Sequence, residues 1–343
     1  MAALEFGLDT FGDVTVGPDG HLRSPAQVLR DVVEEAVLAD EVGIDCFGVG
    51  EHHREDFAVS APEVVLAAIA SRTERIHLGS AVTVLSSDDP VRVFQRFATL
   101  DALSSGRAEV ILGRGSFTES FPLFGYDLDQ YDELFDDRLD LFARLLEGGP
   151  ITWAGTTRAP LRGQRIHPEP EAGTLRTWIG VGGSRQSIIR AARHRLPLVL
   201  AIIGGDSARF APFVDLYHRV AEDMEAERLP VAVHSPGHVA DTDEQAREEL
   251  YPHWKAMRDR IGAERGWGPA GPDEFLQQAG PHGALYVGSP ETVATKVAAT
   301  VRVLGVARFT MKYSAGTLPH SLMIGSIERF GRQVVPRVRE LLA

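Results

Sequence analysis

Three short stretches of this chain carry residues that could do chemistry. Glu51-His52-His53 sets a carboxylate beside two imidazoles. Imidazole titrates nearest neutral pH, so the group suits acid–base work or hydrogen bonding at a reacting centre. It could also ligate a metal, but adjacent strand histidines point to opposite faces and no further ligand stands out. The acid–base reading is therefore preferred for His52 and Glu51, with Glu51 expected to orient the His52 ring or raise its pKa. His53 is read as a structural hydrogen-bonding partner. The second stretch, Gly182-Gly183-Ser184-Arg185-Gln186-Ser187, joins an apolar run at 178–181 to a helical pattern from Ile188. Free backbone N–H groups, a helix dipole and hydroxyls then converge on one point, which is how proteins bind phosphate. A plain glycine turn with Ser184 as N-cap is the simpler alternative. The stretch is neither a Walker loop nor a G-x-G-x-x-G fingerprint. In the third, Gly113-Arg114-Gly115, a guanidinium sits on a turn that can approach a ligand closely, or else it snorkels over a rim.

Positioning these residues requires regular elements. Residues 76–115 read as an apolar strand, a turn with Asp89 and Pro90 opening a helix, and a second apolar strand. Strand–helix–strand with short joints builds parallel sheets, and loops at the carboxyl ends of parallel strands carry the chemistry. The same alternation continues outside this unit. Strands are expected at 4–9, 44–49, 178–181, 198–203, 231–239 and 308–312. Helices are expected from Ser24-Pro25, from Ser60-Ala61-Pro62, over 131–146, from Ile188, from Asp206 to about 228, from Pro290 and over 319–342. About eight strand–helix pairs in order make a (β/α)8 barrel. Residues 148–176 read as a long crossover with a small hairpin near 151–153. A second excursion, about 240–285, holds a helix near 243–261 and a Gly/Pro-rich stretch, a typical place for a lid. The whole is read as one domain over 1–343.

Bulk properties narrow the function. A net charge of −13 over 343 residues disfavours nucleic acid and anionic membranes as partners. The lone cysteine, Cys46, permits no internal disulfide and suits a reducing cytoplasm. No signal peptide or bilayer-spanning run is evident.

The run LGSAVTVL…DPVR…LD.LS.GR……RG…FG, with Ser80-Ala81-Val82, Asp89-Pro90-Val91-Arg92, Ser105-Gly106-Arg107, Arg114-Gly115 and Phe124-Gly125, resembles the bacterial-luciferase-like family of flavin-dependent monooxygenases. Glu51-His52-His53 and the Gly182–Ser187 turn match the same family, so the likeness covers nearly the whole chain. It implies a TIM barrel with a lid after the seventh strand. It implies FMN as cofactor, in reduced form as a co-substrate, held by Ser80, Ala81, Val82, Arg114, Ser116, Phe117, Val181, Gly182, Gly183, Ser184 and Ser187. A non-prolyl cis peptide is implied at Ala81–Val82, and His52 beside the reactive edge of the flavin. Dioxygen, a small-molecule substrate, a separate flavin reductase and a homodimer follow from the same likeness. Two other readings stay open: deazaflavin-dependent hydride transfer, against which the acidic composition weighs, and a non-catalytic flavin-binding relative. The light-emitting subunit has a cysteine where this chain has Gly113, so light emission is not expected.

Overall fold

A serine or aspartate followed by proline opens three of the helices. Ser24 accepts from Gln27 N–H, Asp89 from Val91 and Arg92 N–H, and Ser289 from Thr292 N–H. The proline supplies a fixed φ at a position that has no intrahelical donor to lose. Each pair therefore ends a loop and starts a helix in one step. The computed structural model describes residues 4–115, 117–171 and 173–343.

Eight strands form the sheet that matters here: β1 (Glu5–Thr10), β2 (Cys46–Val49), β3 (His77–Ser80), β4 (Ala108–Gly113), β5 (Arg176–Val181), β6 (Leu198–Ala201), β7 (Val231–Val239) and β8 (Arg308–Lys312). Every neighbour pairs in parallel, and β8 pairs with β1, so the sheet closes into a barrel. The helices that follow them are α1 (Pro25–Glu41), α2 (Pro62–Ala70), α3 (Pro90–Leu103), α4 (Tyr131–Leu146), α5 (Arg185–Arg193), α6 (Ala211–Asp223), α7 (Pro290–Leu304) and α8 (His320–Arg329). Their apolar stripes pack on the sheet, as with Val93, Phe94, Phe97 and Leu100 of α3. The chain is thus a TIM-barrel-like α/β fold.

Between β3 and β4 the register shifts by one. Gly79 faces Glu109, but beyond the Ala81–Val82 peptide, which is cis, Thr83 faces Leu112. The extra residue makes a bulge at the mouth. The Ser80 hydroxyl fills the gap in the ladder: it lies 3.2 Å from both the N and the O of Ile111 and accepts from Thr83 Oγ1 at 2.9 Å.

Several stretches depart from expectation. Residues 262–283 were read as irregular, yet the preceding helix runs on to Arg265 and a second helix spans Pro272–Ala279. Pro272 starts that helix, and Phe275 and Ala279 bury its stripe. Residues 117–130 contain a short helix at Ser120–Phe124, for which no helix was expected. The closing helix is interrupted by a wide turn at Phe330–Val334, just before Pro336, whose missing N–H cannot continue the ladder. The hairpin pairs Ile151–Trp153 with Leu161–Gln164.

Inside the amino-terminal end of the barrel lies a buried ion-pair cluster. Arg308 of β8, 2% exposed, makes two parallel bonds to Glu109 of β4 at 2.6 and 2.9 Å and a third to Glu5 of β1 at 2.8 Å. Arg176 of β5 also reaches Glu5, at 2.7 Å. Burial alone would push the Glu109 carboxyl up, but the Arg308 charge and its hydrogen bonds outweigh it, and the pKa lies below the usual carboxylate value. Gly79 makes room, because a Cβ there would stand 2.8 Å from Glu109 Cγ. Burial pushes the neighbouring Cys46 thiol up to about 12, so it stays protonated and unreactive.

Removing one partner of such a pair strands the other charge in the interior, which costs about 3–5 kcal/mol, whereas an apolar replacement of both is close to neutral. Glu109→Ala should lose about that much in urea unfolding, and the double change Glu109→Leu with Arg308→Met should recover most of it. A loss below about 1 kcal/mol for Glu109→Ala would show that the pair does not hold the barrel.

Candidate active site at the barrel mouth

Beyond β2 the chain turns back under the mouth. His52 N–H donates to Val59 O at 2.9 Å, and its ring is enclosed by phenylalanines. Phe57 stacks on it at 4.4 Å between centroids, with Phe11 and Phe117 edge-on at 4.5 and 5.3 Å. Burial in that apolar cage dominates its titration. Asp13 opposes the effect and Lys312 adds to it, so the imidazole pKa falls from 6.5 to about 3. At neutral pH His52 is therefore an uncharged hydrogen-bonding ring.

Glu51 does not serve His52. Its Oε1 lies 2.9 Å from His53 Nε2, and its Oε2 accepts from Val84 N–H at 2.9 Å. The expectation that Glu51 orients His52 or raises its pKa is thus replaced. Glu51 clamps His53 to the strand segment just after the bulge, and His53 has the structural place expected of it.

The bulge forms the centre of the mouth. Ala81 and Val82 are half-buried, whereas Ser80 is fully buried with its hydroxyl spent inside the sheet. Ser80 thus supports the bulge from behind. Val82 sits against the ends of β4 and β5: a Cβ on Gly113 would stand 2.5 Å from Val82 Cγ2, and one on Gly180 would stand 3.0 Å from Val82 Cγ1.

Those two strand ends lead into the second part of the site. Arg114 donates to Ser187 Oγ at 3.3 Å and to Asp132 at 2.6 Å, with its guanidinium over the Tyr131 ring. Ser184 caps α5 by accepting from Ser187 N–H at 3.2 Å, and its hydroxyl meets the Ser187 hydroxyl at 2.8 Å. Gly183 takes a positive φ of 97°, which few other residues adopt, and a Cβ on Gly182 would meet nothing within 4 Å. One turn along α5, Arg190 is 7% exposed, bonded by Nε to Asp136, and both its terminal nitrogens lack hydrogen-bond partners among the described residues. A cation, two hydroxyls, an open glycine and a helix start thus meet, with Arg190, ion-paired to Asp136, behind them. That donor set fits a phosphate. Of the residues expected here, Val181 points the other way, into the core at 2% exposure. Phe117 stands instead in the cage around His52, and Ser116 lies outside the described residues.

The long helix after β7, Asp243–Arg265, reaches the mouth by charge. Arg54 binds Asp56 at 3.0 Å, Glu119, and Glu264 of that helix at 2.9 Å. Arg260 of the same helix bonds Glu55 at 2.8 Å.

Sequence reasoning missed Phe11, Asp9 and His234, which line the floor of the mouth. Asp9 Oδ2 and His234 Nδ1 lie 2.6 Å apart. The end of β1 could have flagged Asp9 by the rule that barrel chemistry sits at strand ends. His234 stands within a nine-residue strand and carries no such signal.

A family model described as luciferase-like monooxygenase matches residues 10–308. The chain belongs to the luciferase-like monooxygenase family. Among its relatives in this family is the 4-hydroxyprotoasukamycin monooxygenase of Streptomyces nodosus subsp. asukaensis, 29% identical over 252 residues, which are 70% of this chain and 67% of that protein. Alignments with other curated relatives span 39% to 54% of those proteins' length. Monooxygenase RslO1 from Streptomyces bottropensis has the same fold, with a TM-score of 0.84 at 21% identity over 97% of this chain and 99% of that one. So does the oxygenating constituent of 3,6-diketocamphane monooxygenase from Pseudomonas putida, solved in complex with FMN, with a TM-score of 0.75 at 20% identity over 98% and 99%. Flavin-type chemistry fits this family, and no helix among the described residues is long and apolar enough to cross a membrane.

A histidine whose pKa is depressed in the folded state favours folding fully above its ordinary 6.5 and loses that contribution as pH falls toward about 3. In an NMR titration the His52 ring should therefore keep its neutral-form shifts from about pH 8 down to about pH 5. A midpoint near its ordinary value would mean that the phenylalanine cage is open to water.

Proposed function

We propose that this chain is an FMN-dependent monooxygenase that uses reduced flavin and dioxygen to oxidise a small organic substrate. One observation carries the reading: Arg114, Ser184 and Ser187 converge on the start of α5 at one side of the Ala81–Val82 bulge, while the caged His52 stands at the other. Arg114, the two serines and the first N–H groups of α5 would hold the phosphate, with Arg190 adding charge from behind. The bulge would support the ring system, and Val82 would fix its height. His52, uncharged, would donate or accept a single hydrogen bond beside the reacting centre. Phe11, Phe57 and Phe117 exclude water from that side, and the Arg54–Glu264 contact holds the Asp243–Arg265 helix over it. Reduced FMN, when bound, supplies the two electrons that activate dioxygen.

Further parts of the reading follow. Reduced flavin would come from a separate reductase in the cytoplasm. A homodimer would form through α2 and α3, where Val64 is 70% and Leu103 64% exposed.

The test is anaerobic ultraviolet–visible titration with reduced FMN and, in parallel, with a reduced deazaflavin coenzyme, followed by admission of air. FMN should bind and dioxygen should be consumed. Ser187→Ala and Arg114→Ala should each weaken FMN, since losing a bond to a charged group costs roughly 1.5–3 kcal/mol, about tenfold to a hundredfold in affinity. Unchanged FMN affinity in both variants would move the phosphate elsewhere. Tight deazaflavin binding without oxygen uptake would favour hydride transfer instead.

A further inference from the structure

Asp9 ends β1 and is 2% exposed. Its Oδ2 pairs with His234 Nδ1 at 2.6 Å, reaching past β8, which lies between β1 and β7. Its other oxygen, Oδ1, is buried without a partner among the described residues. A buried carboxylate oxygen left unpaired is costly, and in native structures it usually has a use. Facing a carboxylate, Nδ1 is the ring nitrogen placed to donate, which leaves Nε2 as the ring's other hydrogen-bonding atom. No group among the described residues bonds that Nε2.

The pair stands on the floor of the mouth. A Cβ on Gly48 would lie 3.0 Å from Asp9 Cβ and 2.9 Å from Ala81 Cβ, so Asp9 flanks the bulge directly. Phe11 lies nearly parallel to the His234 ring at 6.3 Å and edge-on to His52 at 4.5 Å, so both histidines pack on the one ring. The two differ in support. The His52 ring is packed among phenylalanines, whereas the His234 ring is bonded through Nδ1 to a carboxylate. The other charged groups near the dyad are accounted for. Lys312, over the Phe11 ring at 4.4 Å, is bonded to Asp13 at 3.0 Å and to Ser314. Tyr313 and Glu35 bond one another at 2.5 Å on the side toward α1.

We propose that Asp9 and His234 form the proton-accepting dyad of this site and that the substrate presents a phenolic or enolic hydroxyl to Nε2. The inference rests on the function proposed above and names the substrate class for that same site. Phe11, which lies parallel to the His234 ring, offers an aromatic wall suited to a flat ring beside the dyad. In the step, the substrate O–H bond breaks, its proton moves to His234 Nε2, and the electron pair stays on the substrate oxygen. Asp9 holds the resulting imidazolium through Nδ1–H, and nothing is oxidised or reduced. The electron-rich oxyanion is then the species that meets activated oxygen.

4-Nitrophenol, whose phenolate is coloured, reads this step in the flavin-free protein. Bound to the parent chain, its phenol–phenolate midpoint should fall by about one pH unit or more. His234→Gln and Asp9→Asn, checked for folding by circular dichroism, should bind it with the shift abolished. A merely structural pair would leave the midpoint alone and lower the melting temperature instead. An unshifted midpoint in the parent, a shift retained in both variants, or no saturable binding of the phenol would each overturn the proposal. FMN titration of the parent chain separates the two readings: a parent chain that binds no FMN refutes the proposed function, while the phenol midpoint still decides the dyad.

Discussion

The bidentate contact between Arg308 and Glu109 is the constraint around which the barrel is built. It joins β8 to β4 across the interior, and through Glu5 and Arg176 it recruits β1 and β5. Four strands of eight are thereby fixed by charge at one end. Such a cluster is paid for in desolvation and repaid only when every donor finds an acceptor, so it tolerates one geometry and few others. With the amino-terminal end locked, the opposite end is free to carry glycines, a bulge and half-buried side chains. The mouth can be irregular because the base is not.

The mouth is closed by two different means. On the His52 side, aromatic packing expels water and lowers the cost of burying an uncharged ring, which is why the histidine there cannot hold a proton. On the outer side, Arg54 gathers carboxylates from its own loop, from the segment after β4 and from the helix after β7. Apolar contacts at the floor are indifferent to ionic strength, whereas the exposed ion pairs at the rim weaken as salt rises. Rim and floor can therefore respond separately to conditions.

Much of this was legible from residue order. Strand–cap–helix joints such as Ser80 to Pro90 declare themselves because apolar runs, N-caps and prolines act locally. Val231–Val239 and Arg308–Lys312 were readable to the residue for the same reason. The glycine–hydroxyl turn before α5 was also readable as a helix start, since its glycines and hydroxyls are nearly consecutive. What escaped depends on distance in space. Nothing in the sequence says that Glu51 bonds His53 rather than serving His52, that Val181 turns into the core, or that Asp9 meets a histidine 225 positions away. The helix at Pro272–Ala279 escaped for another reason: glycines and prolines on both sides hid a short buried stripe.

The packing of Val82 on Gly113 couples the two positions. A side chain at position 113 would enter within 2.5 Å of Val82 Cγ2 and 3.1 Å of its Cβ, and a β-branched residue has little rotamer freedom with which to withdraw. The two positions are therefore epistatic. A side chain at 113 needs a smaller residue at 82 to make room for it. In this chain Val82 thus holds position 113 to glycine, and a change at one position calls for a change at the other.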